Sequence, residues 1–396
     1  MQGVVPRRIL PVIVLTVFMG TSPWFAGNAV LGDLQQLWGL SPDALAYVTS
    51  SVQLGFITGT FLFAILGVSD IYSPRNVFLV CSLLAGVSNA GIVLFADGYA
   101  TLLLYRFLTG FFLAGIYPVG MRAMAGWYRS GLGRAMGYLI AAVVLGTAFP
   151  HLLEALGRSL EWTSVISIVS VIAAFGGMLM YALVPDGPYL TTGKGFDPRA
   201  LRAVFSSKGL RSSAFGYFGH MWELYAFWAF VPVLLATHIG TGTVISLDIP
   251  FWSFVIIGAG SIGCAAGGVL SVRFGSARLA CVQLAISGVC CIVSPFLFEV
   301  PTALFLLFLI IWGITVAGDS PQFSSLNALN APPGSVGSAL TIVNCIGFSI
   351  TIVSIQLLSF VEHHVDTRWL FPILAFGPMA GLIAMRELLR GKSRRS

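Results

Sequence analysis

The stretch PDGPYLTTGKGFDPRALRAVFSSK, residues 185–208, is polar, basic and rich in turn formers in a chain that is otherwise mostly apolar. Its Asp186-Gly187-Pro188 start marks a loop, and it carries Lys194, Arg199, Arg202 and Lys208. Six apolar blocks precede it, at about 9–31, 44–68, 75–96, 99–125, 134–156 and 163–184. Six more follow, at about 211–236, 250–272, 277–298, 301–325, 337–360 and 369–390. A membrane-spanning helix needs ~20 predominantly apolar residues. The pattern therefore predicts an all-α membrane protein of twelve transmembrane helices in two pseudo-symmetric six-helix bundles, residues 1–184 and 211–396, joined by a linker over 185–210. Within the linker, Asp197-Pro198 ahead of ALRAVF reads as the start of a short amphipathic helix on the membrane surface.

Composition agrees. Of 396 residues, 57% are hydrophobic and 9% charged, where soluble domains carry about 25% charged residues. Mean hydropathy is +0.91. The net charge of +6 would suggest nucleic acid in a soluble protein, but the basic residues sit between apolar blocks, so nucleic acid is not an expected partner. The cysteines, Cys81, Cys264, Cys281, Cys290, Cys291 and Cys345, lie inside apolar blocks without CxxC spacing, and read as small buried hydrophobes rather than disulfides or zinc ligands. Arg7-Arg8 and the long run behind it read as a first span rather than a signal peptide. No Gly-rich phosphate loop and no Ser/His/Asp or HExxH pattern stands in a polar segment, so neither an enzyme nor a cofactor is expected. Glu362, His363, His364 and Asp366 read as a solvated loop and no metal site is expected.

Charge sets the orientation. Arg7, Arg8, Arg75, Arg122, Arg129, Arg134, the linker, Arg273, Arg278 and the tail from Arg386 to Arg395 fall on one side, while Arg158 and Arg368 fall on the other. Acids are skewed oppositely: Asp33, Asp43, Asp97, Glu154, Glu161, Asp248, Glu299, Glu362 and Asp366. The positive-inside rule then places both termini and the linker in the cytoplasm.

The halves echo one another. Asp70 and Arg75, after the second span, lie 203 residues before Arg273 and Arg278, after the eighth. A parallel six-span repeat with a site at the repeat interface is a known transporter architecture. At these positions the chain resembles the major facilitator superfamily, whose loop motif is of the Gly-x-x-x-Asp-Arg-x-Gly type. Here it stands as LGVSDIYSPRN, residues 66–76, and in the second half as GGVLSVRFGSAR, residues 267–278, where Val272 replaces the acid. RFLTG, Arg106 to Gly110, matches the fourth-span Arg-x-x-x-Gly motif. GYFGHMWELY, residues 216–225, and GDSPQFS, residues 318–324, resemble runs of a bacterial subgroup. The resemblance implies a multi-pass protein of the bacterial inner membrane, monomeric among its lipids, with Asp70, Arg75, Arg273 and Arg278 as a conformational gate. It further implies that Arg106 acts in proton coupling or pairs with a membrane acid. GTAFPHLLEALG, residues 146–157, departs from the Gly-Pro-rich motif of the family's antiporters.

An ionised side chain at mid-bilayer costs ~2.5–3.5 kcal/mol on insertion scales and marks a functional candidate. Glu223, with His220 and Phe227 on the same helical face, is the first. Low dielectric disfavours the charged form of a carboxyl, which suits a group that gains and loses a proton. His220 is placed to donate to it or relay its proton; the alternative is a hydrogen bond locking two helices. Asp319 is the second: Pro321 interrupts the helical ladder and, with Ser320, Gln322 and Ser324, makes a polar kink suited to a ligand or a gate. Arg106 and His151 are the third and fourth, each with hydrogen bonding as its structural alternative. Trp24, Asn28, Gln53, Trp222, Tyr225, Asn344 and Gln356 are weaker candidates for lining a cavity.

The residues at the 203 offset from Glu223, Asp319 and Arg106 are Gly20, Ile116 and Leu309, so membrane acids occur in the second half alone and the membrane arginine in the first. The expected function is proton-coupled secondary transport of a small organic solute by alternating access. The alternatives are efflux antiport of amphiphilic cations and a non-transporting sensor on the same scaffold.

Overall fold

The computed structural model describes residues 5–157, 161–190, 195–242, 246–332 and 335–392. All regular elements among them are helical, and residue contacts divide the chain into two units, Met1–Phe196 and Asp197–Ser396.

In the first unit, spans two, three, five and six are the single helices Ala44–Ile65, Pro74–Phe95, Leu132–Leu156 and Trp162–Leu183. Span one differs from its continuous apolar block. It runs as Ile9–Thr21, leaves the helix at residues 22–25, and resumes as Ala26–Ala29 and a separate helix, Leu31–Trp38. Eleven helices among the described residues are long and apolar enough to cross a membrane, and this interrupted span accounts for the twelfth. Pro23 has no N–H to give to Met19, four residues back, and Met19 O instead accepts Ser22 Oγ at 2.8 Å.

In the second unit, spans seven, eight and nine are Lys208–Gly240, Ile249–Phe274 and Ser276–Val293, the last extended by a 3-10 turn, Ser294–Leu297. Span eleven is Val336–Glu362, and span twelve is Phe371–Ala375 followed by Phe376–Lys392. The linker helix is Ala200–Ser206, with Asp197 Oδ1 accepting Arg199 N at 2.9 Å ahead of it. It buries Ala200 and Val204 and leaves Leu201 and Phe205 exposed.

The two units repeat each other's breaks and closest packing. Span four is broken between Tyr99–Leu113 and Tyr117–Trp127, and span ten between Thr302–Gly318 and Ser320–Asn330. Each second segment has a proline in its first turn, Pro118 and Pro321, 203 residues apart. Proline is tolerated there because its missing N–H would have no helical partner.

Glycines let backbone meet backbone beside both breaks. A Cβ on Gly110 would stand 2.0 Å from Val52 O, and one on Gly59 2.3 Å from Phe111 O. In the second unit a Cβ on Gly313 would stand 2.1 Å from Ile256 O, and one on Gly263 2.0 Å from Ile314 O. Overpacking a filled core costs ~1–3 kcal/mol, and a carbonyl held in a helical ladder cannot rotate away. Gly110→Ala and Gly313→Ala are therefore each expected to lower stability by about 3 kcal/mol, read as the thermal midpoint in detergent. Gly32→Ala is the control, since a Cβ there meets nothing within 4 Å, and its midpoint is expected to hold or rise.

Candidate functional site

Glu223 lies midway along span seven with no exposed surface. Its carboxyl is held by three groups from two other helices. Trp312 of span ten donates its indole N–H to Oε1 at 2.6 Å. From span nine, Ser287 donates to Oε2 at 2.9 Å and the Cys291 thiol to Oε1 at 3.3 Å. None of the three carries a positive charge. The Trp312 ring also packs on Phe227, with centroids 4.6 Å apart, so the indole is fixed where its N–H meets the acid.

This arrangement accommodates two protonation states. Ser287 Oγ lies 2.9 Å from Glu223 Oε2 and 3.2 Å from Leu284 O. A hydroxyl has one proton, so these bonds are alternatives. With a carboxylate, Ser287 donates to Oε2. With a carboxylic acid, the new O–H on Oε2 donates to Ser287 Oγ, whose own proton turns to Leu284 O. The Trp312 bond to Oε1 is kept throughout. Rotation of one hydroxyl lets the acid gain or lose a proton with no buried polar atom left unpaired, the event that otherwise costs ~1–3 kcal/mol.

His220 is three residues before Glu223 but turns elsewhere. Its Nδ1 is 2.8 Å from Asp319 Oδ1 and its Nε2 is 2.9 Å from Ser320 Oγ. Asp319 and Ser320 sit at the break in span ten, so one imidazole ties span seven to both sides of that break. The two ring nitrogens thus face a carboxylate oxygen on one side and a hydroxyl on the other. The expected His220–Glu223 relay is thus replaced by a His220–Asp319 pair. On one face of a helix, residues three apart still aim along different radii.

In the first unit the corresponding feature is a guanidinium. Arg106, fully buried, donates from Nη1 to Pro23 O at 2.9 Å and to Asn89 Oδ1 at 3.3 Å, and from Nη2 to Trp24 O. Its partners are thus two carbonyls at the break in span one, of which Pro23 O also accepts Ala26 N at 3.3 Å, together with an amide, rather than an acid. Trp24 and Gln53 are joined at 3.2 Å, and Asn28 and Thr49 at 2.6 Å, so these four candidates and neighbours gather around the same break.

The remaining candidates are dispersed. His151 is buried, with Nδ1 3.9 Å from Glu154 Oε2. Trp222 donates to Ile373 O at 3.3 Å, and Tyr225 packs between Trp228 and Phe348. Asn344 and Gln356 are half-buried on span eleven, and Gln322 is buried one turn after Asp319. Arg75 lies over the Tyr181 ring at 5.4 Å, while Arg273 and Arg278 are exposed. Asp70 falls in the short helix Val68–Ile71, and its side chain lies outside the described part of the structure. No group of metal-ligating residues occurs among the described residues.

Sequence reasoning missed Trp312, Ser287 and Asn89, and took Cys291 for a plain hydrophobe. Trp312 had one usable signal: it lies seven residues, two helical turns, before Asp319.

Compared with known proteins, residues 12–355 match the sequence model of the Major Facilitator Superfamily. A 169-residue segment is 25% identical to the Bacillus subtilis (strain 168) protein named "Putative niacin/nicotinamide transporter NiaP", over 40% of this chain and 39% of that one. The chain thus spans well under half the length of that relative. Two solved structures share the fold at 14% identity. The human organic anion transporter MFSD10 (TETRAN) superposes with a TM-score of 0.75 over 96% of this chain and 99% of that one. The proton:xylose symporter XylE, bound to 6-bromo-6-deoxy-D-glucose, superposes with a TM-score of 0.71 over 96% and 94%.

Proposed function

The chain belongs to the major facilitator superfamily, and on that premise we propose that it is a secondary transporter moving a small organic solute, driven by protons taken up and released at Glu223. The observation that carries this reading is the place of the Ser287 hydroxyl, 2.9 Å from the acid and 3.2 Å from Leu284 O, from which it can serve both protonation states of a carboxyl that has no basic partner. A purely structural acid needs one set of donors; this one is provided for with its proton and without it.

Alternating access then follows the family's general scheme: the acid loads on one side of the membrane and unloads on the other. Asp319 and His220 tie span seven to the broken span ten. Arg106, Trp24, Asn28 and Gln53 do comparable work at the break in span one. The positive residues at one set of loop ends support a cytoplasmic location for both termini and the linker, and the resemblance to a bacterial subgroup favours the inner membrane. The names of two similar proteins, one for niacin/nicotinamide and one for organic anions, favour a small aromatic or carboxylate-bearing solute.

The test uses purified protein in liposomes with an inward proton gradient, with labelled niacin, nicotinamide and xylose as the first solutes. Accumulation above equilibrium that collapses when a protonophore dissipates the gradient is the expected result. A solute that equilibrates equally fast with and without the gradient would remove proton coupling.

A further inference from the structure

The break in span ten holds more unpaired polar groups than its pairing with His220 accounts for. Asp319 Oδ2, both ends of the Gln322 amide and Gln283 Oε1 have no hydrogen-bond partner among the described residues. Asp319, Gln322 and Gln283 are 0%, 1% and 9% exposed, so bulk water does not supply partners. Buried polar groups in native proteins are nearly always satisfied.

The two glutamine side chains both reach glycines packed at this break. Gln283 Nε2, from span nine, stands 2.3 Å from the point where a Cβ on Gly318 would be, against the residue before Asp319. Gln322 Nε2 stands 2.6 Å from the corresponding point on Gly267 of span eight, and Gly318 O lies 3.0 Å from that same point. Only glycines at 267 and 318 leave room for the two amides. His220 Nδ1 lies 2.8 Å from Oδ1, so Oδ2 is the oxygen turned away from the imidazole.

Charge and donor chemistry select the occupant. Three oxygens need a partner (Asp319 Oδ2, Gln283 Oε1 and Gln322 Oε1), and one donor group, the Gln322 NH2, has two protons to give. A water serves these hydrogen bonds but brings no charge to the buried carboxylate. A cation does, and hard oxygen donors suit an alkali or alkaline-earth ion. One carboxylate balances one positive charge, which excludes a divalent ion in a buried nest. We propose that Asp319, Gln283 and Gln322 bind a small monovalent cation of the Na+ type at the break in span ten.

Occupancy here and the proton at Glu223 are separable, because the two share no ligand and cation binding is read without any transported solute. The test is the thermal midpoint of the purified full-length protein as NaCl replaces choline chloride at constant ionic strength. A saturable rise with Na+ and none with choline is expected. Gln283→Leu and Gln322→Leu are each expected to raise the half-saturating Na+ concentration at least tenfold, and Asp319→Asn to abolish the response. Gly32→Ala, in the other unit, leaves the response at its wild-type half-saturation. If Asp319→Asn does not fold, the two glutamine variants decide alone. Equal midpoints in Na+ and choline would mean that the nest holds water and would overturn the site. So would a Na+ response whose half-saturation is unchanged in either glutamine variant.

Discussion

Glu223→Gln is expected to abolish accumulation driven by a pH gradient while leaving exchange of labelled for unlabelled solute largely intact. The isosteric amide mimics the protonated acid. Its Oε1 still accepts from the Trp312 indole, whose N–H reaches Glu223 at 2.6 Å. Its NH2 donates to Ser287 Oγ, leaving that hydroxyl free to bond Leu284 O, 3.2 Å away. The fold therefore loses no buried hydrogen bond to Oε2, and stability should stay within ~1 kcal/mol of wild type. Exchange needs no net proton movement; accumulation does. A variant that still concentrates solute under a pH gradient would place the coupling proton elsewhere. One that loses both activities together with its thermal midpoint would make Glu223 a structural residue.

Arg106→Lys is expected to lower stability by about 3 kcal/mol without any ligand present. The planar guanidinium holds Pro23 O, Trp24 O and Asn89 Oδ1 at once. An ammonium on a shorter, unforked stem cannot span that set. Each buried carbonyl left unpaired costs ~1–3 kcal/mol, and the charge itself stays buried. The measurement is the thermal midpoint in detergent. A wild-type midpoint with transport lost would show that Arg106 serves the transport cycle rather than the break in span one.

The fold was largely legible in one dimension because membrane insertion sorts residues by hydropathy and charge, both local properties. Arg273 and Arg278 could be set against Asp70 and Arg75 by counting, and the same offset reappears in Pro118 and Pro321. Span one shows the limit. Residues 9–31 carry no charge, and Ser22-Pro23 in the middle of the run marks where the helix stops; whether a proline kinks or breaks a helix depends on what receives the carbonyls around it. Here that is Arg106, from span four. The site was less legible for the same reason. Glu223, Asp319 and His220 stand out as polar residues in apolar runs, but their partners do not. Ser287, Cys291 and Trp312 lie 64, 68 and 89 residues from Glu223, in stretches whose local character is plain membrane helix. Which of them meets the acid depends on the rotation of each helix about its axis, which the single sequence leaves open.

The clamp on span one also imposes an order on the protein's birth. Trp24 O is made 82 residues before the guanidinium that receives it. At ~5–20 residues per second, chain growth separates the two by roughly 4–16 s. Throughout that interval span one carries a break whose Trp24 carbonyl lacks its guanidinium partner, a form that lipid accepts poorly. It must wait where water or another protein can hold that carbonyl, beside the insertion machinery, until span four arrives. Span one is therefore released into the bilayer later than its place ahead of spans two and three would suggest, and a nascent chain stalled before Arg106 should still be found cross-linked to the channel through residues 22–25.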